Sequence, residues 1–526
     1  MALSDVRSPL ADTQNPALVG LQRRMGWLNR HRMTDETRPD TRPEARSPRG
    51  FQDRRGHDLS VERQLIARVS EVYERWGFEA LETPAFEYVD ALGKFLPDTD
   101  RPNEGVLALE DDDDQWMALR YDHTAPLARF AAQNWETLPK PFRRYAYGPV
   151  WRNEKPGPGR FREFWQCDAD TVGSDRPEAD AEIIAMAVEG LGAAGLDAGQ
   201  AVIRVSNRKL FDGLFDAAGI IDANQRLTAL RAVDKYDRLG IEGVRLLLGE
   251  GRLDESGDYT KGANVPASLI TSIEAFLSSA EQPGLSRAGV LDAVAGVGAG
   301  LGAAGEAALK ELSAIDRALN AMGVAQDAVK FDPTIVRGLE YYTATVFEAE
   351  LLLETRDEKG RPMRFGSIGG GGRYDDLVAR FTGQQVPATG FSFGVSRLAS
   401  ALKAAGKTGD NRTRGPVVVI VFSDDDMQHY LDAVAELRNA GIPAELYLGR
   451  AGMKAQFKYA DRRHAPAAVI LGGDEIAAGQ VTIKDLDAGR AQAASITDNE
   501  AWKAARPGQV KVARSELVKT IQDIIE

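Results

Sequence analysis

Residues 142–151 and 161–172 are two long runs rich in aromatic side chains, and residues 153–160 between them hold two prolines and two glycines. Strand-forming runs bounding a cluster of breakers predict a long antiparallel hairpin. Alternation along its second strand puts Arg162, Phe164, Gln166, Asp168 and Asp170 on one face, and Glu163, Trp165, Cys167 and Ala169 on the other. The first face offers a ring for stacking, an amide and two carboxylates. Two readings stay open for it: a ligand site, or a solvated sheet surface with cross-strand ion pairs. Cys167, on the opposite face, is expected to be a packed thiol rather than a nucleophile.

Around the hairpin the pattern is mixed. Val61, Leu65, Val69, Val72, Tyr73 and Trp76 follow a helical period that Gly77 ends, so a helix is expected over 60–76. A strand over 78–82 should follow, stopped at Pro84, with a helix over 179–194 and a strand over 201–205 further on. Residues 207–325 turn Ala, Gly and Leu rich and read as an inserted helical domain. It would split a catalytic domain into parts 49–206 and 326–404. Residues 405–415 have the composition of a linker. Strands at 417–422, 444–448, 467–471 and 480–484, alternating with helices, indicate a separate α/β domain over 416–526. Residues 1–48 read as a mobile tail with room for a short basic helix over 17–29. Asp5, Asp12, Asp35 and Glu36 speak against an import presequence there.

A length of 526 residues calls for roughly three domains. Hydrophobic residues at 43% and charged residues at 27% are those of a globular protein, and the apolar run 417–422 is far too short to span a bilayer. One cysteine rules out an internal disulfide and a multi-cysteine zinc site, which makes a reducing cytoplasm the expected compartment. The five histidines show no ligand spacing, so no metal-ligating residue is assigned. The net charge of −13 does not exclude nucleic acid, because a basic contact track can sit on an acidic protein. The acidic run 110–114 is expected to be a solvated loop tip.

Three further segments carry chemistry. Arg337-Gly338-Leu339-Glu340-Tyr341-Tyr342 sets a permanent cation beside two ring hydroxyls, and Ser367-Ile368-Gly369-Gly370-Gly371-Gly372-Arg373-Tyr374-Asp375 follows it. Gly390-Phe391-Ser392-Phe393-Gly394-Val395-Ser396-Arg397-Leu398 reads as a strand turning into a helix that carries Arg397 near its start, either a polyphosphate site or, equally, helix packing with an exposed arginine. Arg450, Lys454, Lys458 and Arg462 recur every fourth residue as one basic stripe on an expected helix, either a solvated face or an RNA contact.

The Arg337 and glycine-run segments resemble the two signature motifs of histidyl-tRNA synthetases. The helix and strand ending at Pro84, residues 152–164 and residues 390–397 resemble, in order, the three motifs of class II aminoacyl-tRNA synthetases. The resemblance covers residues 49–526. It implies an α+β catalytic domain on an antiparallel sheet, a helical insertion and a C-terminal α/β anticodon-binding domain. It also implies ATP as substrate with Mg²⁺, L-histidine and tRNA(His) as partners, and a homodimer.

Carried over by position, the resemblance has Phe164 stack on adenine with Glu154 nearby, Arg152 and Arg337 at the α-phosphate and Arg397 at the γ-phosphate. Asp122 and Thr124, within Leu119-Arg120-Tyr121-Asp122-His123-Thr124, would bind the substrate ammonium with help from Gln166. Asp170, Tyr341, Tyr342 and Tyr374 would form the imidazole pocket. Asp122 stands where the family more often has glutamate and Asp170 where a family glutamate accepts an imidazole N–H, each one methylene shorter. The resemblance to the anticodon domain adds weight to RNA contact by the basic stripe. A non-catalytic, histidine-sensing paralogue is the alternative, but such chains tend to lose the ATP-binding arginines or the anticodon domain, and Arg152, Arg337, Arg397 and residues 416–526 are all present.

Overall fold

The computed structural model describes residues 43–92, 105–157, 160–253, 257–279, 284–297, 301–338, 342–356, 360–363, 365–408, 414–493 and 508–525. The expected basic helix over 17–29, Tyr341, and Pro158 and Gly159 of the hairpin turn lie outside those residues. Residues 43–48 form neither helix nor strand.

From Gly50 to Ala404 the chain is organised on an eight-stranded sheet: Glu79–Ala80 (β1), Phe142–Trp151 (β2), Glu163–Val172 (β3), Ala201–Asn207 (β4), Val329–Phe331 (β5), Thr345–Leu351 (β6), Ser367–Arg373 (β7) and Ala388–Gly394 (β8). The spatial order is β1-β2-β3-β8-β7-β6-β4-β5, antiparallel throughout except at the two edge pairs. The expected hairpin is β2–β3, paired from Phe142 opposite Val172 to Trp151 opposite Glu163. Its second strand starts two residues later than the composition suggested, because Arg162 is held in the turn: its N–H donates to the Gly50 carbonyl at 2.8 Å. The strand expected over 78–82 shrinks to two residues. It is an edge, Phe78 turns into the core, and Pro84 has no N–H to extend the ladder.

Helices cover one face of the sheet. Gly56–Arg75 (α1) buries Leu65, Val69, Val72 and Tyr73 there, and Pro177–Ala193 (α3) and Val395–Ala404 (α4) pack beside it. A fourth helix, Thr124–Asn134 (α2), packs in a separate cluster with Phe142, Val172 and Tyr374. Cys167 and Ala169 point into the covered core, as alternation requires, and burial pushes the Cys167 thiol up. Residues directly opposite one another share a face. One row on the other face, part of which α2 covers through Phe142 and Val172, is therefore Ala146, Asp168, Ser392, Gly370 and Glu348, and the next is Arg144, Asp170, Gly390, Gly372 and Val346. The glycine run serves both sides. A Cβ at Gly369 would stand 2.7 Å from the Phe391 ring and one at Gly371 2.5 Å from the Phe347 ring, so these two make room for core aromatics while Gly370 and Gly372 floor the open face.

Residues 207–325 are mainly helical, as expected, with a small ribbon, Gly251–Leu253 against Tyr259–Lys261, that the sequence did not signal. Phe211, Phe215, Phe276 and Leu312 of this region share one hydrophobic cluster with Val205 and Phe347 of the sheet. The acidic run forms an exposed turn in which Asp111 Oδ1 accepts the N–H groups of Asp113 and Gln115.

The C-terminal residues form a five-stranded sheet of Val417–Val419 (β9), Ala444–Leu446 (β10), Ala467–Ile470 (β11), Gln480–Asp485 (β12) and Gln509–Ala513 (β13), in the order β10-β9-β11-β12-β13. β9 stops short of the expected residue 422 because the Val421 N–H is taken by the Gln456 side chain at 2.9 Å. β13 was not anticipated. The basic stripe needs one correction. Its helix spans Met453–Arg462 with Gly452 as N-cap, so Arg450 precedes it; Lys454, Lys458 and Arg462 remain exposed on the face opposite buried Gln456 and Ala460.

Candidate active site

Three carboxylates meet at one end of the open face. Asp122 is placed by the start of α2, where its Oδ1 accepts the N–H groups of Thr124 at 3.1 Å and Ala125 at 2.9 Å. Asp170 receives the Tyr374 hydroxyl on Oδ1 and stands 2.9 Å from Arg144 Nη2 through Oδ2. Asp168 accepts the Ser392 hydroxyl, and Gln166 completes the line along β3 with its Oε1 buried and unpartnered among the described residues. Burial raises all three acids. Asp168 is pushed up to about 7, with Arg144 opposing. Asp170 is also held back by Arg144, and Asp122 by its backbone bonds.

Tyr342 stands beside them, and two glycines make its place. A Cβ at Gly338, whose φ is +65°, would lie 2.2 Å from one side of the ring, and a Cβ at Gly372 would lie 2.8 Å from another ring atom. The two sequence motifs therefore close on one ring. Arg208 donates to the Tyr342 carbonyl, which holds the backbone. Burial, followed by the fields of Asp170, Asp122 and Asp168, raises the Tyr342 hydroxyl above its ordinary range; burial and Asp170 do the same for Tyr374. Both are O–H donors at neutral pH.

The other end of the face is basic. Arg397 leaves the first turn of α4 and donates to the Ser367 carbonyl at 2.7 Å. Burial lowers its guanidinium, and Arg160, Arg337 and Arg152 lower it further, which puts four cations in one field. Arg337 is 57% exposed and 2.9 Å from Glu348, an acid raised by burial. The Arg152 guanidinium lies over the Phe164 ring, 5.1 Å from its centroid, so that ring is covered by an arginine here. Glu154 is exposed, and its carbonyl accepts from Arg162 at 3.2 Å.

The structure thus brings together Asp122, Thr124, Gln166, Asp170, Tyr342 and Tyr374 at the acidic end and Arg337 and Arg397 at the basic end, with Arg152 between them, its Nε donating to the Tyr121 carbonyl at 3.3 Å. The C-terminal stripe belongs to a different sheet. Sequence reading assigned no role to Arg144, Asp168, Ser392 or Arg208. A second arginine inside an otherwise apolar strand, at Arg143-Arg144, was the available signal for the first of them. Among the described residues no group of three or more His, Cys, Asp or Glu is placed to hold a metal ion, and Glu348, the acid beside the arginines, is already paired.

The family model for histidyl-tRNA synthetase matches residues 50–398, and that for an anticodon binding domain matches residues 416–524. The chain belongs to the histidyl-tRNA synthetase family. A histidine–tRNA ligase from Caulobacter vibrioides is 67% identical over 494 residues, covering 94% of this chain and 99% of that protein. Another, from Brucella ovis, is 53% identical over 487 residues, with 92% and 96% covered. The crystal structure of histidyl-tRNA synthetase from Nostoc sp. superposes with a TM-score of 0.68 at 29% identity, covering 92% of this chain and all of that one. As a member of the family the chain is an aminoacyl-tRNA synthetase, a ligase, and its sheet and C-terminal domain are those of the class II fold. No helix among its described residues is long and apolar enough to cross a membrane.

Proposed function

We propose that the open face of the sheet activates L-histidine with ATP, giving histidyl-adenylate and pyrophosphate, and then passes the histidyl group to the 3′ end of tRNA(His) with release of AMP. The observation that carries this assignment is the polarity of the face: Asp122, Asp168 and Asp170 around Tyr342 at one end, Arg160, Arg337 and Arg397 in one field at the other, and Arg152 between them, acting on Asp122 and Tyr342 as well as on Arg397. An amino acid joined to a triphosphate has the complementary polarity.

Asp122 and Thr124 take the ammonium group, Gln166 assists, and Asp170, Tyr342 and Tyr374 line the imidazole pocket, to which the family pattern adds Tyr341. A ligand without imidazole nitrogens leaves buried polar groups unpaired, which is a strong basis for discrimination. Phe164 stacks on adenine once Arg152 swings from its ring to the α-phosphate, and Glu154 borders the base. The histidine carboxylate is ionised at neutral pH, so no general base is required. Its oxygen bonds to the α-phosphorus as the bond to the bridging oxygen breaks and pyrophosphate leaves. Arg152 and Arg337 neutralise the charge that develops, and Arg397 holds the leaving group. Mg²⁺ arrives with the triphosphate as part of the substrate and offsets phosphate charge.

The tRNA engages Lys454, Lys458 and Arg462, with Arg450 just before their helix. The chain acts in the cytoplasm as a homodimer, for which Phe86, Tyr88 and Leu109, exposed on one face of a three-stranded sheet, supply an apolar surface. Histidine-dependent exchange of pyrophosphate into ATP by the purified chain tests the reading. No exchange, or exchange driven equally by other amino acids, would overturn it.

A further inference from the structure

Arg144 is the largest fully buried side chain of the sheet and is 1% exposed. A single nitrogen makes its two contacts. Nη2 donates to the His123 carbonyl at 2.9 Å and stands 2.9 Å from Asp170 Oδ2. Its Nε and Nη1 are buried with no hydrogen-bond partner among the described residues, and the same holds for Asp168 Oδ2, two residues along the neighbouring strand. Burying a guanidinium on so few bonds is costly, and a hydrophobic side chain of similar volume would serve packing better. The contacts it does make are informative. His123 sits between Asp122 and Thr124, so Arg144 grips the segment that carries the ammonium ligands while it grips the carboxylate assigned to the imidazole. The His123 ring itself is buried between Arg120 and Arg144 and held neutral, pushed down to about 3, with Nε2 3.3 Å from the Gly148 carbonyl. Only its backbone links the two limbs.

We propose that Arg144 is a positioning residue for amino-acid recognition: by holding the His123 carbonyl and the Asp170 carboxylate on one nitrogen, it fixes the span between the ammonium-binding and imidazole-binding ends of the pocket. The proposal rests on the roles given above to Asp122 and Asp170. Both are aspartates, whose single methylene leaves little reach to adjust, so the distance between their backbones has to be set by something else. Arg144 sets it. Asp168, on the same face and coupled to Arg144 through its field, balances the arginine charge.

The test compares L-histidinol, which carries both ends of the ligand, with 4-methylimidazole, which carries one, as inhibitors of histidine-dependent ATP–pyrophosphate exchange. In Arg144→Lys the charge survives, but the lysine nitrogen ends about one bond short of the place of Nη2 and cannot hold both oxygens. Histidinol inhibition should weaken about tenfold or more, 4-methylimidazole less than about threefold, and KM for ATP should hold. Equal losses for both inhibitors, or none, would overturn the proposal. Should Arg144→Lys fail to fold, the double variant Arg144→Met, Asp168→Asn removes one charge of each sign and should show the same split with a near-parental melting temperature; parental histidinol binding in that variant refutes the positioning role. Asp122→Asn and Asp170→Asn, run alongside, isolate the underlying assignment. If they weaken histidinol and Arg144→Lys does not, the positioning role alone falls; if they leave histidinol binding intact, the assigned roles fall and the proposal with them.

Discussion

Gly390 stands directly across the strand pair from Asp170, and a Cβ on Gly390 would lie 1.9 Å from Asp170 Oδ1. The carboxylate occupies the volume that any side chain at position 390 would fill. Gly390→Ala should therefore turn Asp170 away from the Tyr374 hydroxyl. The expected outcome is a rise of about tenfold or more in KM for histidine with KM for ATP nearly unchanged. Equal changes in both constants would mean that the glycine serves the sheet and not the pocket.

Arg337 faces the reaction from the basic end and is paired with Glu348. Arg337→Ala should lower the exchange rate about a hundredfold, the scale on which a single charge-stabilising group acts, while histidine affinity changes little. An unaltered rate would remove Arg337 from the mechanism.

The buried acid gives a pH signature. Asp168 titrates near 7 in the fold against 3.8 ordinarily. Below 3.8 it is protonated in the folded and unfolded chains alike. Between those values the unfolded chain ionises first, so the fold holds the extra proton and stability falls as pH rises through this window. His123 has the opposite sign: its folded value is depressed to about 3, so its contribution is lost as pH falls from 6.5 towards 3. Differences between variant and parent separate the two groups. Asp168→Asn should raise the melting temperature more at about pH 8 than at about pH 5. A difference that is flat with pH would show that Asp168 does not titrate in this range.

The resemblance to the family implies that an extra guanosine at the 5′ end of the tRNA is read through a glutamine in the loop of the second motif. Here that loop is Lys155-Pro156-Gly157-Pro158-Gly159, and neither glycine nor proline has a side-chain donor. Aminoacylation should proceed without the extra nucleotide, and the anticodon should matter more. Matched transcripts measure this directly: a loss of about a hundredfold on removing the guanosine, about 2.7 kcal/mol at the transition state, would contradict it.

The site was legible where a residue type cannot be exchanged. Gly338 needs its positive φ and Gly372 its missing Cβ, and both appeared in the sequence as motifs because no other residue clears the Tyr342 ring. The β2–β3 hairpin was readable for a similar reason, since breakers bound it and alternation fixed which side Cys167 and Asp168 take. Arg144 was not legible. Its importance comes from Asp170 and His123, which meet it only across the fold, and local pattern cannot register such contacts. The short β1 escaped for the converse reason: its local pattern reads as five strand residues, and the edge position and Pro84 allow two. The basic stripe shows the limit of counting by fours, because a capping glycine moved the helix start past Arg450.

The two gatherings of like charge have a consequence for the lifetime of the chain. Arg152, Arg160 and Arg337 crowd Arg397 at one end of the face, offset in part by Glu348, and three buried acids crowd one another at the other, offset in part by Arg144; both raise the free energy of the enzyme without its ligands. ATP and histidine bring the missing counter-charges, and whatever binds only the folded form protects it by mass action. Abundance is then tied to supply: a pool drained of either substrate leaves the enzyme in its most fragile form, the one most open to heat and to proteolysis.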